Sequence, residues 1–199
     1  MIIGITGSSG AGKSTVCEIL EMSYQAKIID ADEIARRLSY QNDAYLGEIV
    51  ASFGAEILLN TGELNRRKLA DIIYKSLEKR KALNAITFKY ITAEIQREIE
   101  QAQEKLIIID APLLFEANLQ RLCNVTVAVI TRNQETQISR IMERDAITKE
   151  QAMNRLKAQH PNEFYVSKCN YSIVNEGNLQ EVEKQIATIF EDLEKEQER

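Results

Sequence analysis

Four short apolar runs stand out along the chain: residues 2–6, 27–29, 106–109 and 125–130. They read as strands buried on both faces, as in a parallel sheet. Each is followed by a stretch that a helix can occupy, and strand–helix alternation of this kind implies βαβ units. Residues 171–174 read as a fifth strand and 179–193 as the helix after it. The predicted fold class is α/β, a three-layer αβα arrangement with a five-stranded parallel sheet. Ligands of such sheets sit beyond the carboxyl ends of the strands. Chemistry is therefore expected after Thr6, Ile29, Ile109 and Ile130.

About 75 residues separate the second run from the third, too many for one crossover helix. They hold helical stretches at 45–53, 66–74 and 77–104, with Asn60-Thr61-Gly62 as a turn between the first two. This region is expected to be a helical insertion that covers the sheet edge and shapes a substrate site. No solenoid or propeller period is present. Near the C-terminus Glu191, Asp192, Glu194, Lys195, Glu196, Glu198 and Arg199 read as a solvated helix end.

Composition narrows the picture. The chain has 199 residues, 44% hydrophobic and 28% charged, an ordinary balance for a globular protein. Its formal net charge of −5 argues against a duplex nucleic-acid binder, which shows a basic face. It does not argue against a small polyanionic ligand, for which a few local cations suffice. The cysteines Cys17, Cys123 and Cys169 are odd in number and widely spaced, so neither a disulfide framework nor a zinc site is expected. No apolar run approaches the roughly 18–20 residues of a membrane span. The N-terminus lacks a basic region ahead of its short apolar stretch, unlike a signal peptide. The expectation is a cytoplasmic protein that needs no membrane and no obligate protein partner.

The first strand runs directly into Gly7-Ser8-Ser9-Gly10-Ala11-Gly12-Lys13-Ser14, which matches G-x-x-x-x-G-K-[ST]. Its fixed positions coincide by chance in roughly one chain of this length in a hundred, and the strand before and helix after make that rarer. Glycines let successive N–H groups point at one anion, and the helix N-terminus adds partial positive charge there. Lys13 can reach the β- and γ-phosphates, and the Ser14 hydroxyl can enter a Mg²⁺ shell. The expected ligand is ATP with Mg²⁺, held at Gly10, Ala11, Gly12, Lys13, Ser14 and Thr15, with Ser14 on the metal. The fold then reads as P-loop NTPase-type.

Beyond the second strand come Asp30 and Asp32, which in extended geometry point the same way. Asp32 is a candidate to orient an attacking hydroxyl and take its proton. For Asp30 two readings stand: the same chemistry, or a cap on the helix at 33–38. Arg36 and Arg37 could hold an acceptor's phosphates; alternatively one of them is solvated, a reading open for Arg37. The third strand ends in Asp110, a Walker B pattern that can hold Mg²⁺ directly or through water. Leu113, Leu114 and Phe115 follow Pro112 as an apolar wall. After the fourth strand, Arg140 and Arg144 share a helix face, and Arg155 lies on the next helix, at 149–159. They either close over a triphosphate or pair with Glu143 and Asp145. His160, ahead of Pro161, reads as a surface-loop residue rather than a catalytic one.

Together these residues resemble the dephospho-coenzyme A kinases. The likeness runs through most of the chain. It includes Asp30-Ala31-Asp32-Glu33-Ile34-Ala35-Arg36, Phe53-Gly54, Gly62-Glu63-Leu64-Asn65-Arg66 and Pro112-Leu113-Leu114-Phe115-Glu116. Further on come Gln137, Arg140, Arg144-Asp145, Arg155, Gln159 and Ile173-Val174-Asn175. The resemblance implies transfer of the ATP γ-phosphate to the ribose 3′-hydroxyl of dephospho-coenzyme A, the last step of coenzyme A synthesis. It implies Asp32 as general base, with Lys13 and Arg140 stabilising the phosphoryl group in transfer. Arg140, Arg144 and Asn175 fall to the ATP side, with Asn175 near the base. Asp32, Arg36, Arg66, Leu113, Glu116 and Arg155 fall to the acceptor side. It also implies a division of one domain, 1–199, into a core (1–40, 105–140 and 170–199), a helical acceptor-binding region (41–104) and a helical lid (140–168).

The chain departs from the family's usual pattern in places. Thr87-Phe88-Lys89-Tyr90 stands where a His-Pro pair is usual, and Lys89 is the candidate substitute. Lys168-Cys169-Asn170-Tyr171 replaces an Ala-Asp pattern, Tyr165 replaces an arginine, and Ser8-Ser9 replaces Gly-Ile. The alternative reading is another P-loop small-molecule kinase, acting on a nucleoside or nucleoside monophosphate. A nucleotide-dependent switch is disfavoured, because it leaves Asp32 without a task.

Overall fold

The computed structural model describes residues 1–197; Glu198 and Arg199 of the expected helix end lie outside them. The five apolar runs form one sheet: β1 (Ile2–Thr6), β2 (Lys27–Asp30), β3 (Ile107–Asp110), β4 (Val125–Ile130) and β5 (Tyr171–Val174). The strand order is β2-β3-β1-β4-β5, all parallel, which puts the phosphate-loop strand at the centre. Ile5 lies opposite Asp110 in β3 and Thr6 opposite Ala128 in β4, so the carboxyl ends line up.

The chain forms two compact units, one from Met1–Ile29 and the chain beyond Ala102, the other Asp30–Gln101. In the first, the two-residue period of the strands sorts side chains onto two faces. Ile3, Ile5, Val127, Val129 and Ile173 pack with α1 (Lys13–Tyr24) and α9 (Leu179–Gln197). Ala128 and Ile130 face the other way, onto Tyr165 of α8 (Asn162–Lys168). Helices thus cover both faces of the sheet. A smaller apolar cluster of Ile138, Ile141 and Ala152 joins α6 (Gln134–Asp145) to α7 (Lys149–Lys157). The turn between them passes through Ala146 at φ 51°.

The second unit is helical: α2 (Ala31–Gln41), α3 (Asp43–Phe53), α4 (Arg66–Lys75) and α5 (Leu77–Gln101). The first three pack against α5, whose Ile86, Ile91 and Ile95 are buried. Asn42 and Asn65 cap α3 and α4 by accepting from Tyr45 and Lys68 backbone N–H groups. The expected turn at 60–62 is present: Gly62 N–H donates to Leu59 at 2.9 Å, between the paired Leu58 and Leu64.

Some boundaries differ from expectation. α2 begins at Ala31 rather than Glu33, because Asp30 caps it. α5 stops at Gln101 rather than 104, and α7 at Lys157 rather than 159, where the chain turns toward Pro161. The seven-residue α8 carries too few turns to show a period in sequence.

Candidate functional site

The phosphate loop sits between the carboxyl end of β1 and the first turn of α1. Gly12 caps α1 at φ 92°, in the left-handed region that favours glycine, and a Cβ there would lie 2.1 Å from Asn175 Nδ2. Gly7, at φ 146°, approaches β4 so closely that a Cβ would lie 2.1 Å from the Val129 carbonyl oxygen. Lys13 Nζ donates to the Gly7 carbonyl at 2.9 Å, so its ammonium folds back over the loop. Ser14 is exposed in the first turn of α1.

Arg140 of α6 bridges the loop to the end of β5. Its guanidinium donates to the carbonyls of Gly10 and Asn175, each at 3.3 Å, and approaches Asn175 Oδ1 at 3.4 Å. Asn175 is buried and fixed in turn. Its side chain donates to Gly12 O and accepts from Gly177 N–H. The structure thus brings together the loop glycines, Arg140 and Asn175, all expected on the ATP side. Arg144, one turn further, donates to Ser9 Oγ at 3.0 Å and to both carboxylate oxygens of Asp145 at 2.9 Å. Arg155 of α7 pairs with that same carboxylate. Arg144 thus forms the expected ion pair with Asp145 and also contacts the loop at Ser9. Asp145 is held below the usual carboxylate range, chiefly by its hydrogen bonds from Arg144 and with help from Arg155.

Asp110 ends β3 next to β1, half buried. Ser14 and Asp110 offer a hydroxyl and a carboxylate, the hard oxygen donors that suit Mg²⁺. Among the described residues no group of three His, Cys, Asp or Glu could hold a metal. Beyond Pro112, Leu113 is exposed, and Glu116 Oε1 lies 3.1 Å from His160 Nε2. The His160 ring stacks on Phe164, centroids 3.7 Å apart. His160 is thus an exposed loop residue with a defined seat. Tyr165, buried beside it, has its hydroxyl pKa pushed up to about 12, by burial first and by Glu116 second. Burial likewise raises Cys123 to about 12 and Cys169 to about 11, which leaves both thiols unreactive near neutrality.

In the helical unit, Asp30 is the cap of α2. Its Oδ1 accepts from the backbone N–H groups of Asp32 at 2.8 Å and Glu33 at 3.0 Å. The extended pairing expected of Asp30 and Asp32 is therefore corrected: capping curls the chain into a helix one residue after Asp30. Asp32 and Arg36 instead share an exposed helical face one turn apart. Arg37, partly exposed, is engaged in ion pairs with Glu94 at 2.9 Å and Glu98 at 2.5 Å. Arg66 lies 4.9 Å from the Tyr40 ring centroid and donates to Ser39 Oγ at 2.5 Å. Lys89, in the departing segment, is engaged with Glu48 at 2.8 Å.

Residue-by-residue reasoning missed several contacts. Gln137 is buried and donates to Ser8 Oγ at 2.7 Å and to Ser9 O at 2.8 Å. Gln159 Oε1 accepts from Ser9 N–H at 2.8 Å. Glu176 accepts from Arg132 N–H at 2.7 Å and so ties the end of β4 to that of β5. A polar residue on the apolar stripe of α6 was the available signal for Gln137; nothing local marks Gln159 or Glu176.

A family model described as dephospho-CoA kinase matches residues 1–181. The chain belongs to the dephospho-CoA kinase family. A dephospho-CoA kinase of Listeria innocua serovar 6a is 39% identical over 192 residues, which cover 95% of each chain. Among solved structures, a protein of Thermus thermophilus superposes with a TM-score of 0.81 at 28% identity, covering 97% of both chains. The dephospho-CoA kinase of Campylobacter jejuni superposes with a TM-score of 0.67 at 27% identity, covering 98% of both. The protein is a phosphotransferase that uses ATP to phosphorylate dephospho-CoA. No helix among the described residues is long and apolar enough to cross a membrane.

Proposed function

We propose that the protein transfers the ATP γ-phosphate to the ribose 3′-hydroxyl of dephospho-CoA, giving coenzyme A and ADP, in the cytoplasm. The observation that carries the ATP half is the bridge from Arg140 to Gly10 and Asn175 beside the Lys13 ammonium. In this reading the triphosphate lies along Gly10–Thr15 and accepts from loop N–H groups at the start of α1. A phosphate oxygen displaces the Gly7 carbonyl as the partner of Lys13 Nζ. Arg140 and Arg144 stabilise the charge of the phosphoryl group in transfer, and Asn175 orients the nucleotide base. Ser14 and Asp110 are the residues that would hold Mg²⁺, which when bound neutralises phosphate charge. Asp32 takes the proton of the acceptor hydroxyl. Arg36 and Arg66 bind acceptor phosphates, Leu113 and Glu116 contact the acceptor, and Arg155 serves the same side. Preset seats support several of these roles: Arg66 rests on Tyr40 and Ser39, and Glu116 on His160. A 3′-hydroxyl is a weak nucleophile, so a carboxylate that accepts its proton is the group the chemistry needs.

The test is an ADP-release assay with ATP, Mg²⁺ and a panel of acceptors. Dephospho-CoA is expected to turn over, and the 3′-deoxy analogue, shikimate and free nucleosides are not. Equal turnover of a nucleoside would overturn the acceptor assignment.

A further inference from the structure

In the pattern G-x-x-x-x-G-K-[ST] the second and third positions are unspecified, so nothing in the motif asks for hydroxyls there. This chain has two, Ser8 and Ser9, and both residues are buried. Four hydrogen bonds tie the pair to the segment that follows β4. Gln137 Nε2 donates to Ser8 Oγ at 2.7 Å and to Ser9 O at 2.8 Å. Ser9 N–H donates to Gln159 Oε1 at 2.8 Å, and Arg144 donates to Ser9 Oγ at 3.0 Å. The loop is thereby divided in function. Its first half is fastened to α6 and to the turn after α7, and its glycine-rich second half presents N–H groups to phosphate.

The contact of Arg144 with Ser9 differs from the others because it ends on a charged group. A guanidinium on a long stem has many rotamers. Here Asp145 accepts from Nε and Nη2, and the same Nη2 also donates to Ser9 Oγ of the loop. The carboxylate belongs to the next residue of the same helix end and does not itself connect the guanidinium to the loop. The serine hydroxyl adds the second point that sets its position against the loop.

We propose that Ser9 is a positioning residue: its hydroxyl holds the Arg144 guanidinium at the phosphate loop, where it meets the triphosphate. The proposal rests on the assignment of Arg144 to ATP. It makes the third loop position, in this chain, a determinant of ATP affinity without direct contact to ATP.

The experiment is steady-state kinetics on Ser9→Ala, Ser9→Thr, Arg144→Ala and the double variant Ser9→Ala/Arg144→Ala, with melting temperature followed for each. Ser9→Ala is expected to raise KM for ATP roughly three- to tenfold with kcat within about twofold, the scale of one half-exposed hydrogen bond to a charged group. Ser9→Thr keeps the hydroxyl and should restore the wild-type KM. In the Arg144→Ala background, Ser9→Ala should add nothing further. A merely structural role would lower the melting temperature without this split or this dependence on Arg144. If Arg144→Ala raises KM while Ser9→Ala leaves it unchanged, the positioning role is wrong and the ATP role of Arg144 stands. If Ser9→Ala costs as much with Arg144 absent, or Ser9→Thr behaves like Ser9→Ala, the positioning role is likewise wrong. If Arg144→Ala has a wild-type KM, both readings fail.

Discussion

On the proposed role, the Lys13 ammonium, which donates to the Gly7 carbonyl at 2.9 Å, exchanges that acceptor for a charged and stronger one when phosphate binds. Lys13→Ala should therefore weaken ATP binding and slow turnover together, and ATP titration with single-turnover kinetics separates the two. Retention of both would remove Lys13 from the phosphate site. Asp32 sits in the first turn of α2, exposed, with Asp30 acting as the cap. On the proposed role, Asp32→Asn leaves ATP affinity nearly intact and lowers kcat by about 10²-fold or more, the scale of a lost general base. Unchanged kcat in the acceptor assay would count against it. At this scale the chemistry-bearing residue types were readable but not their partners. Asp30 could be a cap or a second acid from spacing alone. The capping bonds to Asp32 and Glu33 decided it, because a side-chain oxygen at a helix start answers otherwise orphaned N–H groups. Arg37 was ambiguous for a similar reason: its partners, Glu94 and Glu98, lie on another helix far along the chain.

Elements were more legible than partners. Continuous apolar runs became the five strands, and the long polar-apolar stretch from residue 77 became α5. α8 falls within the expected helical lid, but its bounds were not legible, because seven residues between Pro161 and Cys169 give no period to read. The two-fold split of contacts between one helical segment and the phosphate loop also leaves no local trace, since Gln137 and Gln159 lie about 130 and 150 residues beyond Ser8 and Ser9. The loop itself is legible because glycine is needed where strand and loop crowd each other. Gly7→Ala would drive a Cβ to 2.1 Å from the Val129 carbonyl, and that neighbour is backbone in the middle of the sheet. Its expected cost is about 2 kcal/mol or more, as for other overpacked sites. Urea denaturation should register this as a lowered midpoint, and a wild-type midpoint would mean that β1 and β4 can separate at that point.

For the molecule as a whole, ATP is a ligand of the folded chain only, so it must raise stability by mass action. At about 100 times its dissociation constant, ATP should add about 2.7 kcal/mol. For a chain of this size that is a shift of roughly 5–10 °C in melting temperature. The shift should shrink in Lys13→Ala, and its persistence there would point to a second nucleotide site. The net charge of −5 does not oppose polyanionic substrates, because a few local cations suffice for each, such as Lys13, Arg140 and Arg144 in the first unit and Arg36 and Arg66 in the second.

The central place of β1 has a consequence for synthesis. Met1 N donates to Lys105 O, 104 residues away, and Ile2 N donates to Asn124, 122 residues away. β1 is thus made before either of its sheet neighbours, β3 and β4, and is flanked on both sides only once β4 has followed. At about 5–20 residues per second this apolar strand waits for some 6–25 seconds before both neighbours exist. During that interval Ile2, Ile3 and Ile5 lack one or both strand partners, and a nascent-chain chaperone that shields short aliphatic segments would find a client site in this strand.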